Sequence, residues 1–232
     1  SNNHAVGGVV YASMDKGNHI IVTSIEHHSV LKPVEQLEKD GFKITYLPVD
    51  EYGCVDPLRV KESITDQTIL IAVMHASNEI GTIQPIQEIS RVTREYGIPF
   101  LVDAVQTVGH IPVNVSELGC DLLSLSAHKF YGPKGVGALY IREKTNISSF
   151  LLGGDQERGR RASTQNVAGA VGLAKAIQLC EQKMVEEAKM QTQLRNRLLE
   201  EIPKRMESVK INGHITKRLP NNAHFSFEGL EG

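Results

Sequence analysis

Hydrophobic positions in this chain come in short continuous runs, separated by stretches in which they recur every three or four residues. The runs are "HIIVTS" (19–24), "FKITYLPV" (42–49), "TILIAVMH" (68–75), "IPFLVDA" (98–104) and "DLLSLSA" (121–127). Their length suits strands, and their near-continuous apolarity suits strands covered on both faces. Between them, "SVLKPVEQLEKDG", "DPLRVKESI" and "PIQEISRVTREYG" predict helices. Gly41 and Gly97 are the stop signals of the first and third, and Asp56 caps the second with Pro57 at its first position. Strand–helix–strand repetition implies right-handed crossovers and a mainly parallel α/β sheet flanked by helices. "GVGALYIR" follows "DLLSLSAHK" after a loop too short for a crossover, so it is expected to run antiparallel to a neighbour.

The pattern changes at Asn166. From there to about Lys204 the apolar positions follow one long amphipathic stripe, with Cys180 on it as a core residue. Beyond it, "SVKING" and "NNAHFSFEG" read as the first strands of a small α+β domain. The expected division is therefore a large domain over 1–205 and the beginning of a smaller one over 206–232.

Composition narrows the function classes. The chain has 232 residues, 41% of them hydrophobic and 22% charged, with net charge −2. No basic run offers an electrostatic footprint for nucleic acid or a membrane surface, and the apolar runs are too short to span a bilayer. Cys54, Cys120 and Cys180 are odd in number and widely spaced, which forms neither a disulfide framework nor a CxxC pair. A reducing, cytoplasmic setting is expected, with structural roles for all three. His27 and His28 are adjacent and point apart, and "HASNE" lacks the spacing that puts two metal ligands on one helical face, so no metal site is expected.

Polar residues cluster where the strands end. Glu26 and His27 follow the first run, Ser77-Asn78-Glu79 the third, Asp103 and Gln106 the fourth, and Ser126, His128 and Lys129 the fifth. In an open parallel sheet ligands bind beyond the carboxyl ends of the strands, so these residues would share one rim. A lysine there can form a Schiff base with an aldehyde cofactor when its neighbours favour the free amine. An aspartate can hold a pyridine nitrogen protonated, making the ring an electron sink. A histidine can stack on that ring, Asn and Gln can bond its phenolic oxygen, and Ser and His beside the lysine can hold a phosphate. The set describes a pyridoxal phosphate site.

Five segments then match one family in order. "SAHKFYGPKGVGALYIR", "HASNEIGTIQPI", "LVDAVQTVGHIPVNV", "SIEHHSVL" and "GGDQERGRRASTQN" resemble the motifs of the cysteine desulfurases, class V members of the fold-type I pyridoxal phosphate enzymes. The resemblance implies a fold-type I transferase large domain that binds pyridoxal 5'-phosphate. It implies removal of sulfur from L-cysteine, giving alanine and an enzyme persulfide for iron–sulfur cluster assembly or other sulfur transfer. It makes Lys129 the Schiff-base lysine, His27 the ring-stacking histidine and Asp103 the partner of the ring nitrogen. Asn78 and Gln106 approach the phenolic oxygen or the substrate, and Ser126 and His128 bind the phosphate. Thr164 resembles the threonine that reaches a partner subunit's phosphate, which implies a homodimer, with sulfur-acceptor or scaffold proteins as further partners.

Two departures stand out. The family's third glycine is Asp155 here, and Arg-Ser-Gly-Thr has become Arg161-Ala162-Ser163-Thr164. A serine replacing glycine is strained if φ is positive there. The family's glycine–threonine phosphate turn, its nucleophilic cysteine and its substrate-binding arginine are expected outside these residues, so the chain reads as a fragment that is itself inactive. Selenocysteine lyase, or another class V aminotransferase-like enzyme, shares every residue named. From a different class, a non-catalytic cofactor-binding scaffold competes. A nucleotide-binding module is the weaker rival, because "YGPKGVG" matches neither phosphate-loop spacing.

Overall fold

Every residue of β1 (His19–Thr23), β3 (Thr68–Met74) and β4 (Phe100–Asp103) is buried. Full burial requires cover on both faces, and the strands alternate their side chains between two cores. Ile20, Val22, Leu70, Ala72, Leu101 and Leu122 join one core, whereas Ile21, Ile71, Val73, Phe100, Val102 and Leu123 join the other. The computed structural model describes residues 1–230, and it is a three-layer α/β/α arrangement over most of its length.

The main sheet has six strands in the order β2-β1-β3-β4-β5-β6, where β2 is Lys43–Leu47, β5 is Leu122–Ser126 and β6 is Gly137–Ile141. The first five are mutually parallel, and β6 pairs antiparallel with β5, as the short loop before it requires. β2 lies at one edge and is only partly buried, which fits its polar alternation Lys43, Thr45. Helices α1 (Asn2–Ala12) and α2 (His28–Lys39) cover one face through Val6, Val9, Val10, Val30 and Val34. Helices α3 (Pro57–Ser63), α4 (Ile86–Tyr96) and α6 (Val167–Arg205) cover the other through Val60, Ile86, Ile89, Ala176 and Cys180. One-turn α5 (Val115–Leu118) adds Leu118 on that side.

The helix signals act as read. Asp56 accepts a hydrogen bond from Leu58 N at 2.9 Å as the N-cap of α3, with Pro57 at its first position. Gly97 ends α4 in the left-handed conformation, φ 65°. α6 runs 39 residues, and beyond it β7 (Val209–Ile211) and β8 (Phe225–Phe227) form a separate antiparallel pair. Among the described residues no helix is long and apolar enough to cross a membrane.

Candidate active site at the carboxyl ends of the parallel strands

The strand order reverses direction between β1 and β3, and a cleft opens beyond the carboxyl ends there. It is a cavity of about 530 Å³, within the usual size of a cofactor site. Its walls include His27, Asn78, Asp103, Gln106, Ser126, His128 and Lys129, contributed by the ends of β1, β3, β4 and β5. Seven of the eight residues given site roles from sequence thus meet in one place, whereas Glu26, Ser77 and Glu79, also expected on the rim, do not line the cavity. The eighth, Thr164, is exposed on the stretch before α6 and does not line this cavity.

His27 is the N-cap of α2. Its extended backbone, φ −62° and ψ 148°, turns the ring so that Nδ1 accepts the Ser29 N–H at 3.1 Å. Just before it, Glu26 is buried under the turn. One of its oxygens accepts Thr23 Oγ1 at 2.6 Å and Met74 N at 2.8 Å, while the other has no partner among the described residues. Burial, eased by those two bonds and reinforced by the charge of Asp103, pushes the Glu26 carboxyl up to about 8.

Asp103, at the last position of β4, is 6% exposed. Oδ1 accepts Val105 N at 2.9 Å and Oδ2 accepts Asn2 Nδ2 at 2.7 Å, so each oxygen keeps a lone pair for a further donor. Beyond β3, the Ser77–Thr82 turn closes by Ser77 N to Thr82 O and Gly81 N to Ser77 O, both 3.0 Å. Asn78 rides on that turn and donates to Glu79 Oε1 at 2.7 Å. Residues from beyond α6 brace it: Asn222 Nδ2 donates to Glu79 O and Leu219 N to Gly81 O, both at 2.9 Å.

Lys129 sits on a 3-10 turn, Ala127–Phe130, that ends in a left-handed Tyr131 at φ 65°. The turn is anchored from below by fully buried Phe130, whose carbonyl accepts the Cys180 thiol at 3.6 Å. His110 Nε2 donates to the Lys129 carbonyl at 3.1 Å. Gly109, at φ 85°, lets Phe130 come close: a β-carbon there would lie 2.6 Å from Phe130 Cβ. The backbone is thus fixed while the lysine side chain faces the open cavity. Beside it, Ser126 Oγ and His128 Nδ1 are 2.9 Å apart.

Sequence reasoning missed Asn2, Ser29 and His110. Asn2 lies 101 residues from the aspartate it bonds, and only the packing of α1 against the sheet brings it there. Ser29 carried a weak local signal, two residues beyond a histidine at a helix start.

A mainly parallel sheet that gathers a lysine, an aspartate and a histidine at its carboxyl rim has the architecture of the fold-type I pyridoxal phosphate enzymes. Solved structures share it: one described as a NifS-like protein superposes with a TM-score of 0.95 at 38% identity, covering 99% of this chain and 63% of its own. Another, described as SspA in complex with cysteine, has a TM-score of 0.74 at 40% identity over 77% of this chain and 52% of its own. The chain belongs to the aminotransferase class-V family, whose sequence pattern matches residues 1–232. It is 57% identical over its whole length to a cysteine desulfurase IscS of Dictyoglomus turgidum, of which it spans 59%. It is 52% identical to the cysteine desulfurase IscS of Methanosarcina thermophila, of which it spans 57%. The family's cofactor is pyridoxal 5'-phosphate, and the cavity fits it in size and donor set: an anion at the floor, an amine, an imidazole, amides and hydroxyls around the wall.

Proposed function

We propose that this chain is the cofactor-binding part of a pyridoxal phosphate-dependent cysteine desulfurase, which converts L-cysteine to L-alanine and leaves the sulfur as a persulfide on a protein cysteine. One observation carries the reading: residues from four strand ends, of the types that chemistry needs, line a single cavity. When bound, the cofactor supplies an electron sink conjugated with the substrate's α-carbon. The chain supplies the rest. Asp103 presents negative charge where a ring nitrogen must keep its proton. His27 would cover the ring face, and Asn78 and Gln106 would offer amide hydrogens to the phenolic oxygen or the substrate. Ser126 and His128 donate to the phosphate. Lys129 Nζ would hold the cofactor and would move a proton to or from the substrate carbon.

The nucleophile that takes the sulfur is a cysteine outside residues 1–232. None of Cys54, Cys120 and Cys180 lines the cavity. Burial pushes the thiols of all three up, and Cys120 reaches about 11, which disfavours the thiolate. Residues 1–205 are the large domain and 206–232 begin a smaller one, a division supported by the separate β7–β8 pair. Thr164 serves the phosphate of a second subunit in a homodimer. Its exposure supports this, as does the flanking apolar stretch Phe150, Leu151 and Leu152, the last 88% exposed. The three free cysteines support a cytoplasmic setting, and protein sulfur acceptors complete the pathway.

The test separates binding from turnover. Added pyridoxal phosphate gives a protein-bound absorbance band with residues 1–232, and borohydride fixes the cofactor on Lys129. Lys129→Ala abolishes both. The longer protein, but not residues 1–232, releases alanine from L-cysteine. Offering L-selenocysteine alongside distinguishes a lyase for that substrate. A band unchanged in Lys129→Ala overturns the site, and sustained desulfuration by residues 1–232 alone overturns the division of labour.

A further inference from the structure

A continuous chain of hydrogen bonds joins the two residues expected to grip opposite parts of the cofactor ring. Asn2, at the start of α1, is 6% exposed. Its side-chain amide has two hydrogens, and both are committed. One goes to Asp103 Oδ2 at 2.7 Å and the other to Ser29 Oγ at 2.8 Å. The amide orientation follows from the partner, since an ionised carboxylate only accepts, and a flipped amide would set oxygen against oxygen. Ser29 Oγ therefore acts as acceptor toward Asn2, which leaves its own hydrogen for its other neighbour. That neighbour is His27 Nδ1, 2.8 Å away.

His27 Nδ1 also takes the backbone N–H of Ser29 at 3.1 Å, and a peptide nitrogen can only donate. Both bonds agree that Nδ1 is the acceptor, so the neutral ring carries its hydrogen on Nε2. Asn2 and Ser29, which line the same cavity, thus join Ser29 N and Val105 N in fixing the tautomer of His27 and the aim of Asp103.

We propose that Asn2 and Ser29 are positioning residues that lock His27 and Asp103 into one unit, holding the imidazole as its Nε2–H tautomer and the carboxylate in a single orientation toward the cofactor. This rests on the cofactor-binding reading above. Preorganisation of this kind matters because a ring clamped between two independently mobile groups must order both on binding. Each charge-assisted bond such as Asn2 to Asp103 is strong enough to change an equilibrium roughly tenfold when removed.

The experiment uses Ser29→Ala, Ser29→Thr and Asn2→Leu, with two readouts. In the cofactor-free protein, nitrogen NMR of the imidazoles reports which ring nitrogen of His27 carries hydrogen. In the cofactor-loaded protein, absorbance titrations give the dissociation constant and the pH midpoint of the bound band. The unmutated protein is expected to show one His27 tautomer, protonated at Nε2. Ser29→Ala leaves only the Ser29 backbone N–H to hold Nδ1 as an acceptor, so it lowers the Nε2–H population and weakens cofactor binding about tenfold, and Ser29→Thr, which keeps the hydroxyl, restores both. Asn2→Leu weakens binding by about as much and shifts the pH midpoint, because Asp103 loses a donor. If Asn2→Leu fails to fold, Ser29→Ala decides, since that half-buried side chain caps nothing through its hydroxyl alone. Unchanged tautomer populations and affinity in Ser29→Ala overturn the proposal. Absence of any bound band in the unmutated protein overturns the cofactor reading instead.

Discussion

Glu26 offers a direct way to test the electrostatics beneath the site. Its carboxyl is fully buried and is pushed up to about 8, mainly by burial, whereas an unfolded chain leaves it near 4.5. Between those values the folded protein holds a proton that the unfolded chain has released. Raising the pH across that window therefore favours unfolding, at about 1.4 kcal/mol per pH unit and roughly 5 kcal/mol in total. For a chain of this length that is a fall in melting temperature of roughly 10 to 20 °C. His75 works in the opposite sense: burial pushes its ring down to about 4, so stability rises as the pH climbs from about 4 to 6.5. The two windows overlap, and Glu26→Gln separates them. Glutamine keeps the acceptor used by Thr23 and Met74, and its NH2 stands in for the neutral acid's O–H. Urea unfolding followed by far-ultraviolet circular dichroism suits the measurement, because the chain has no tryptophan. Near pH 5 the two cofactor-free proteins should be similar, and above pH 8 the variant should be more stable by several kcal/mol. Equal pH slopes for the two proteins would mean that Glu26 is ionised in the fold, and the reasoning would fail.

Other substitutions probe the frame around the site. Ser163 holds φ 102°, so Ser163→Gly should raise stability by about 1 kcal/mol; an unchanged unfolding midpoint would remove strain from the account of that loop. Asp56→Ala removes the cap of α3 and should cost about 1 kcal/mol in urea unfolding, with Asp56→Asn restoring most of it. Gly109→Ala sets a β-carbon against Phe130 under the lysine turn. It should slow or abolish cofactor uptake in absorbance titrations, whereas Gly41→Ala, also strained at φ 97° but meeting no atom within 4 Å and lying outside the cavity, should not.

The parts of this molecule that were legible in its sequence share a physical property: their cause is local. A strand buried on both faces must be apolar throughout, so β1, β3 and β4 announced themselves, and Asp56-Pro57 and Gly97 marked helix ends because capping is decided within a turn. The cavity was legible for a related reason. Parallel strands all end on the same side, so residues at four strand ends had to share a rim once the sheet was inferred. Asn2 had no such signal, because its partner is fixed by how α1 lies on the sheet rather than by any spacing. His110 was equally silent: a histidine seven residues past Asp103 says nothing about a carbonyl nineteen residues further on. Ser163 falls between these cases. Its positive φ was the conformation that a serine in a glycine position would have to bear, and the backbone adopts it. Glu157 and Arg158 also lie at positive φ, 52° and 60°, just upstream. Strain of this kind persists only where surrounding contacts over-determine the backbone. Within this chain Gly159 N bonds Asp155 O at 3.0 Å, Ala162 N bonds Leu151 O at 3.2 Å and Ser163 N reaches Gln156 Oε1 at 3.2 Å, while Leu152 stands 88% exposed. In the proposed homodimer, a second subunit covering Leu152 and Thr164 would add to these constraints.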